Sequence, residues 1–181
     1  MAARIPLVTV EMATELDLND ISELSDAAEK AIDAGGGFGW LSSPPRSVME
    51  SYWRGVLLIP DRHLIVGKLD KVIGGSCQIV TPPKNNEAQA FACQLTTFFL
   101  APWARGHGLA QKLVEEAEAF ARSNGFKVLN LDVRSTQDRA IHAFSALGYE
   151  HFGTNPLYAY VDGQYVSGEY FTKKLVDDAA E

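Results

Sequence analysis

FFLAPWARGHGLAQKLVEEAEAFARSNG occupies residues 98–125, and its reading decides the rest of the chain. An apolar run ends at Leu100, and Pro102 cannot continue a ladder because it has no backbone N–H. A turn containing Arg105, Gly106, His107 and Gly108 follows. Leu109, Leu113, Ala117 and Phe120 recur at spacings of three and four, with Lys112, Glu115, Glu116, Glu118 and Arg122 between them. This predicts a helix with one apolar stripe, starting near Leu109. Asn124-Gly125 supplies left-handed residues to end it.

Strand, glycine turn and helix make a corner suited to an anion. The first N–H groups of a helix lack partners and carry partial positive charge. Glycines let a bulky anion approach the backbone, and Arg105 adds a fixed cation. The competing reading is a plain strand–helix turn that uses glycine only for its geometry. A Walker loop is absent. A dinucleotide fingerprint would need a third glycine where Gln111 stands, although Asp132 occupies a position suited to a ribose acid.

Arg105-x-x-Gly108-x-Ala110 resembles the pyrophosphate loop of the GNAT N-acetyltransferase superfamily, Q/R-x-x-G-x-G/A. The resemblance implies that Arg105, Gly106, His107, Gly108, Leu109 and Ala110 hold the pyrophosphate of acetyl-CoA. It also implies a parallel strand pair that splays apart for the pantetheine arm, bonded to backbone near Phe98, Phe99 and Leu100. Leu100 or its neighbour would then donate to the thioester oxygen.

Bulk properties narrow the class. The 181 residues suffice for one domain with a sizeable core, and 46% are hydrophobic, which argues against disorder. A net charge of −7 without a broad basic face disfavours nucleic acid and anionic membrane as partners. Cys77 and Cys93 lie in apolar runs and read as buried thiols, and the four histidines have no metal-ligand spacing. No metal is therefore expected. The N-terminus lacks the apolar core of a signal peptide, and no apolar run approaches membrane-spanning length. A cytoplasmic location is the simplest expectation.

Taken in order, Ile5–Met12 reads as a strand and Asp17 as the cap of a helix through about Ala34, striped by Ile21, Leu24, Ala28 and Ile32. The glycine run at 35–39 stops it. The resemblance puts Phe38 and Trp40 near an acceptor, against simple packing. Ser43-Pro44 reads as a second helix start, with Val48, Tyr52 and Trp53 as its buried side. His63–Leu69 and Val72–Val80 flank an Asp70-Lys71 turn, and Gly74 and Gly75 suggest a bulge. Ala90–Leu100 leads to the glycine corner. Lys127–Val133 follows a right-handed crossover and should lie parallel to it. A helix opening near Asp138 and a hairpin around Asp162-Gly163 complete the chain.

The expected architecture is one α/β (α+β) domain over residues 1–181, with its motif-bearing core at about 90–175. A mixed, mostly antiparallel sheet would carry one central parallel pair and helices on both faces, as in the GNAT arrangement.

A second segment resembles the GNAT pattern N-x-x-A-x-x-x-Y-x-x-x-G-F/Y: Ala140, Gly148 and Tyr149 fit, Gln137 replaces asparagine and Phe144 replaces tyrosine. Gln137, Ala140 and Phe144 are thus implied cofactor contacts. The longer pattern, including Gly153-x-x-Pro156-x-Tyr158-Ala159, resembles the branch that contains the tabtoxin-resistance acetyltransferase. The family's tyrosine would protonate the leaving thiolate, which phenylalanine cannot do. Tyr158, Tyr160 or water would replace it, or the protein binds the cofactor with little turnover. Asp132 is the candidate base, against the alternatives of capping a loop or pairing with Arg134. Gln94, Thr96 and Thr97 are candidates to hydrogen-bond an acceptor, and His142 reads as a solvated helix residue.

The leading expectation is acetyl transfer from acetyl-CoA to a primary amine of a small molecule or peptide, by a monomer or homodimer. An acyl-CoA-binding regulatory module without turnover and a nicotinamide- or flavin-binding enzyme are the alternatives.

Overall fold

Cap and turn chemistry sets most element boundaries. The computed structural model describes residues 5–36 and 38–176. Asp17 caps α1 (Leu18–Asp33) with a reciprocal box: its carboxylate accepts from the Asp20 N–H at 2.8 Å, and the Asp20 carboxylate accepts from the Asp17 N–H at 3.3 Å. Gly35 ends that helix at φ 77°, with the Gly36 N–H donating back to the Ala31 carbonyl. Helix α3 (Leu109–Ser123) ends the same way at Gly125, and α4 (Asp138–Ala146) at Gly148.

Helix α2 (Arg46–Val56) departs from expectation. Ser43 is not its cap; the hydroxyl donates instead to Asp33 Oδ1 at 2.9 Å. Pro45 holds the cap position with ψ 142° and no side-chain bond. The second proline explains the delay, because a residue preceding proline is pushed out of the helical region. The buried side is Met49, Trp53 and Val56, whereas Val48 is 48% exposed.

Among the described residues, seven strands hydrogen-bond in the order β1-β2-β3-β4-β5-β7-β6. They are β1 (Val8–Ala13), β2 (Arg62–Leu69), β3 (Val72–Val80), β4 (Ala92–Leu100), β5 (Val128–Arg134), β6 (Glu150–Val161) and β7 (Gln164–Lys174). Pairs β1–β2, β5–β7 and β6–β7 are antiparallel; β4–β5 is parallel. The β2–β3 turn places Asp70 and Lys71 at positive φ, and the β6–β7 turn does so with Asp162 and Gly163, the twist that two-residue hairpins need.

The chain forms two compact units, 1–79 with 97–117 and 80–96 with 118–181, so β4 and α3 each contribute to both. In the first, Leu24, Ala28 and Ile32 of α1 and Met49 and Trp53 of α2 are buried, as are Leu64, Ile65, Ile73 and Ile79 of the strands. Arg46 joins its two helices by bonding Asp26, Ser22 and Glu50. Gly74 and Gly75 serve close approach: an added Cβ would lie 2.6 Å from Ala104 Cβ and 2.6 Å from the Phe99 carbonyl oxygen, respectively. In the second unit, Leu95, Leu129, Leu131, Phe144 and Phe171 are buried. Among the described residues no helix is long and apolar enough to cross a membrane.

Candidate active site

The glycine corner lies in the first unit. After Leu100, the Ala101 N–H donates to the Gly74 carbonyl at 2.8 Å, and a 3-10 turn over Pro102–Ala104 redirects the chain. Gly106 and Gly108 both sit at φ 80°, where a side chain is strained, and an added Cβ on either would meet nothing within 4 Å. The corner is thus open above the backbone. Leu109 begins α3 and is 1% exposed, while Gly106, His107 and Gly108 are exposed and Ala110 is half-buried. The first bond of the new helix runs from the Lys112 N–H to the Gly108 carbonyl at 3.2 Å. Among the described residues, no side chain accepts from the amides of Gly106 to Ala110. Arg105 is half-buried, with Nη2 3.5 Å from the Leu100 carbonyl oxygen, and Lys112 Nζ lies 3.4 Å from that of Val8. Open amides, a helix start and a guanidinium are the donor set that a diphosphate requires.

Leading into the corner, β4 holds Thr97 at φ 55°, an outlier for a β-branched residue. The parallel ladder pairs Ala92–Leu95 with Val128–Leu131 and ends two residues before it. Phe98 and Leu100 are half-buried. Phe99 is 2% exposed and packs on Phe38 at 5.0 Å and Trp53 at 6.0 Å between ring centroids. Trp40 lies edge-on to Tyr52 at 5.2 Å. Phe38 and Trp40 therefore belong to one packed aromatic cluster. Beside it, Gln78 is fully buried, accepting from Arg62 at 2.7 Å and donating to the Tyr52 hydroxyl at 2.9 Å.

The second unit brings three polar residues together. Asp132 on β5 accepts from Gln94 Nε2 on β4 at 2.6 Å, through Oδ1. Its Oδ2 accepts from the Tyr158 hydroxyl on β6. Both of these bonds to the carboxylate thus come from side chains on other strands, β4 and β6. Burial first, and the bond to Asp132 second, push the Tyr158 hydroxyl well above its ordinary pKa. Tyr160 is not part of this cluster. It is 61% exposed near the hairpin tip, pairs with Tyr165 across the ladder, and its ring meets Tyr165 at 5.1 Å.

Gln137 precedes α4 and accepts from the backbone amides of Ala140 and Ile141 through its carbonyl. Ala140 is half-buried, and Phe144 is 3% exposed against Tyr149 at 5.7 Å. His142 is exposed and bonds the Asp138 carbonyl of its own helix. Cys77 and Cys93 are free and buried, and burial raises both thiols, Cys93 to about 12. Among the described residues no group of three His, Cys, Asp or Glu side chains is placed to hold a metal.

The sequence offers Gln94, Asp132 and Tyr158 as separate candidates, but no local spacing joins them, because the contact links residues 38 and 26 positions apart. Alternation along β4 and β5 was the available signal, since it puts Gln94 and Asp132 on one sheet face.

Residues 24–149 match the Acetyltransferase (GNAT) family. An uncharacterized N-acetyltransferase in the hisH-hisA intergenic region of Azospirillum brasilense is 58% identical over 132 residues, covering 73% of this chain and 79% of that protein. Among solved structures, an N-acetyltransferase from Staphylococcus aureus Mu50 superposes with a TM-score of 0.76 at 14% identity, over 94% of this chain and 99% of that one. Salmonella typhimurium yncA, solved with its cofactor acetyl-CoA, superposes with a TM-score of 0.73 at 16% identity, over 96% of each chain. These two similarities extend to the fold.

Proposed function

The chain belongs to the GNAT acetyltransferase family, and from that premise we propose that it moves an acetyl group from acetyl-CoA to a primary amine of a small molecule or peptide by direct attack. The observation that carries this reading is the open corner, where Gly106 and Gly108 at φ 80° leave the amides before and within the first turn of α3 without side-chain acceptors among the described residues. Those amides and Arg105 suit the pyrophosphate of acetyl-CoA, with His107, Leu109 and Ala110 around them. Phe98, Phe99 and Leu100 are assigned to the pantetheine arm, and Gln137, Ala140 and Phe144 to further cofactor contacts. When bound, acetyl-CoA supplies an activated acyl group.

Asp132 and Tyr158 are the groups proposed to move protons, because they are bonded to each other on the same sheet. Tyr160, exposed and stacked on Tyr165, is the weaker candidate. The acidic balance favours an amine acceptor over nucleic acid or an anionic membrane as partner. A cytoplasmic monomer or homodimer is the form proposed, within the branch that resembles the tabtoxin-resistance acetyltransferase.

Calorimetric titration with acetyl-CoA tests the reading, and no heat at millimolar cofactor removes it. The buried Phe144, which has no hydroxyl to give, favours a second reading as an acyl-CoA-binding regulatory module. Tight cofactor binding without amine-dependent thiol release in a broad amine screen would select that module.

A further inference from the structure

We propose that Tyr158, held over Gly168 by a bulge in β6, takes the proton from the attacking amine and hands its own to Asp132, with Gly168 and Gln94 as positioning residues. This rests on the acetyl-transfer reading above.

The argument begins with local sequence. Asn155 pairs with Gly168, and the next pair recorded after it is Ala159 with Val166. Three residues of β6 therefore face one of β7. Pro156 lies inside this bulge, and the Leu157 N–H donates to Asn155 Oδ1 at 3.0 Å. A proline and an Asx turn in an edge strand end regular pairing and re-aim the side chain that follows.

That side chain is Tyr158, and Gly168 is its seat. A β-carbon added to Gly168 would lie 2.2 Å from Tyr158 Cγ and 2.8 Å from its Cβ. Gly168 is not needed for its own φ; it is needed because the ring occupies the space of a side chain. Gly168 also pairs with Arg134, two residues beyond Asp132 on β5. The ring can therefore reach across β7, and its hydroxyl donates to Asp132 Oδ2 while Gln94 Nε2 fixes Oδ1 from the other side.

Both carboxylate oxygens are thus already engaged. The phenol oxygen has lone pairs that no described residue's donor fills, so an amine meets the pair through Tyr158. The charged and titratable groups facing Tyr158 are Asp132 and Arg134 of β5 and Tyr170 of β7, whose ring is edge-on at 6.1 Å. Burial and the Asp132 bond keep the phenol protonated near neutral pH, so it has a proton to hand on.

In the step itself, the amine nitrogen forms a bond to the acetyl carbon and the carbon–sulfur bond breaks. The N–H proton passes to the Tyr158 oxygen as the Tyr158 proton passes to Asp132 Oδ2. Coenzyme A leaves as the thiolate and is protonated from solvent. Asp132 then returns its proton to water.

The test uses the full chain, acetyl-CoA and a panel of amino acids, polyamines and dipeptides, with thiol release as readout. Tyr158→Phe should lower kcat about 100-fold, with coenzyme A affinity by calorimetry within twofold of the parent. Gly168→Ala should lower kcat similarly in the parent and not further in the Tyr158→Phe background. Full turnover in Tyr158→Phe, or a second loss from Gly168→Ala in that background, overturns the relay. A separate readout needs no acceptor: ultraviolet titration should show one tyrosine ionising at lower pH in Asp132→Asn, and that shift should vanish when Tyr158→Phe is added. An unchanged titration also overturns it. Loss of coenzyme A binding by the parent protein would instead sink the acetyl-transfer reading beneath it.

Discussion

Gly67 of β2 lies against Leu109, the first residue of α3, so closely that a β-carbon at position 67 would stand 2.6 Å from Leu109 Cδ1 and 3.2 Å from Leu113 Cδ2. The missing side chain lets the start of α3 settle onto the strand. The amides proposed to grip a diphosphate are therefore positioned from beneath, by a residue on another element. Gly67→Ala should push the first turn outward. The expected result is a loss of about 1–3 kcal/mol in stability from overpacking, together with weaker coenzyme A binding. Urea unfolding and calorimetry on the same variant measure both. Unchanged affinity in a destabilised variant would show that the corner does not depend on this contact.

Arg105 offers the direct electrostatic test. A charge-assisted hydrogen bond contributes about 1.5–3 kcal/mol, so Arg105→Ala should weaken coenzyme A binding about 10- to 100-fold. Arg105→Glu should weaken it further, because it adds repulsion to the loss. Raising salt should narrow the difference between the two variants. Equal affinity for all three proteins, read by calorimetry, would show that the diphosphate sits elsewhere.

Glu118 is buried and held by Lys173 Nζ at 2.7 Å and Arg122 Nη2 at 3.1 Å, while the same Lys173 donates to the Leu147 carbonyl at 2.8 Å. Lys173→Met leaves a buried carboxylate with one partner and a helix-end carbonyl with none from this lysine. Breaking a buried pair costs several kcal/mol, and the remaining Arg122 moderates that to about 2–4 kcal/mol. Adding Glu118→Gln to Lys173→Met should restore part of the loss. Urea midpoints test the sign of that coupling.

Thr154 gives a pH dependence with a defined sign. Its hydroxyl donates to Glu169 at 2.6 Å, and His151 lies at 2.7 Å from the same oxygen. The Thr154 bond first, and His151 second, hold the Glu169 carboxyl below its ordinary pKa. A depressed carboxylate contributes stability that is present above its unfolded pKa and lost as pH falls through the lower folded one. Thr154→Val should therefore lower Tm near neutral pH, with the difference from the parent shrinking below about pH 4. A gap that stays constant down to pH 3 would assign the loss to packing.

Much of the outline was legible because its signals are local. Asp17 caps α1 with its neighbour Asp20, Gly125 and Gly148 take the left-handed positions that end helices, and Asp162-Gly163 turns a hairpin. Two readings failed where local signals competed. Ser43 is a good cap residue, but Pro45 excludes helix from the position before it, and α2 starts later. Val48 fits a stripe of period three to four, yet the neighbouring face with Met49 and Trp53 is the one buried. Gly74 and Gly75 leave room for Ala104 and the Phe99 carbonyl, close approaches that no spacing along the chain displays.

The sequence by itself determined the caps, the turns, the strand–glycine–helix corner and the residue types gathered there, since each depends on atoms a few positions apart along one chain. Only the tertiary structure decided which side chains meet: Tyr158 with Asp132, Glu118 with Lys173, and the glycines at 67 and 168 with the groups that fill the space they leave. The physical reason is that a glycine required by its own φ is governed by local backbone sterics. A glycine required by a neighbour is defined by what the fold brings opposite it, and no spacing along the chain encodes that.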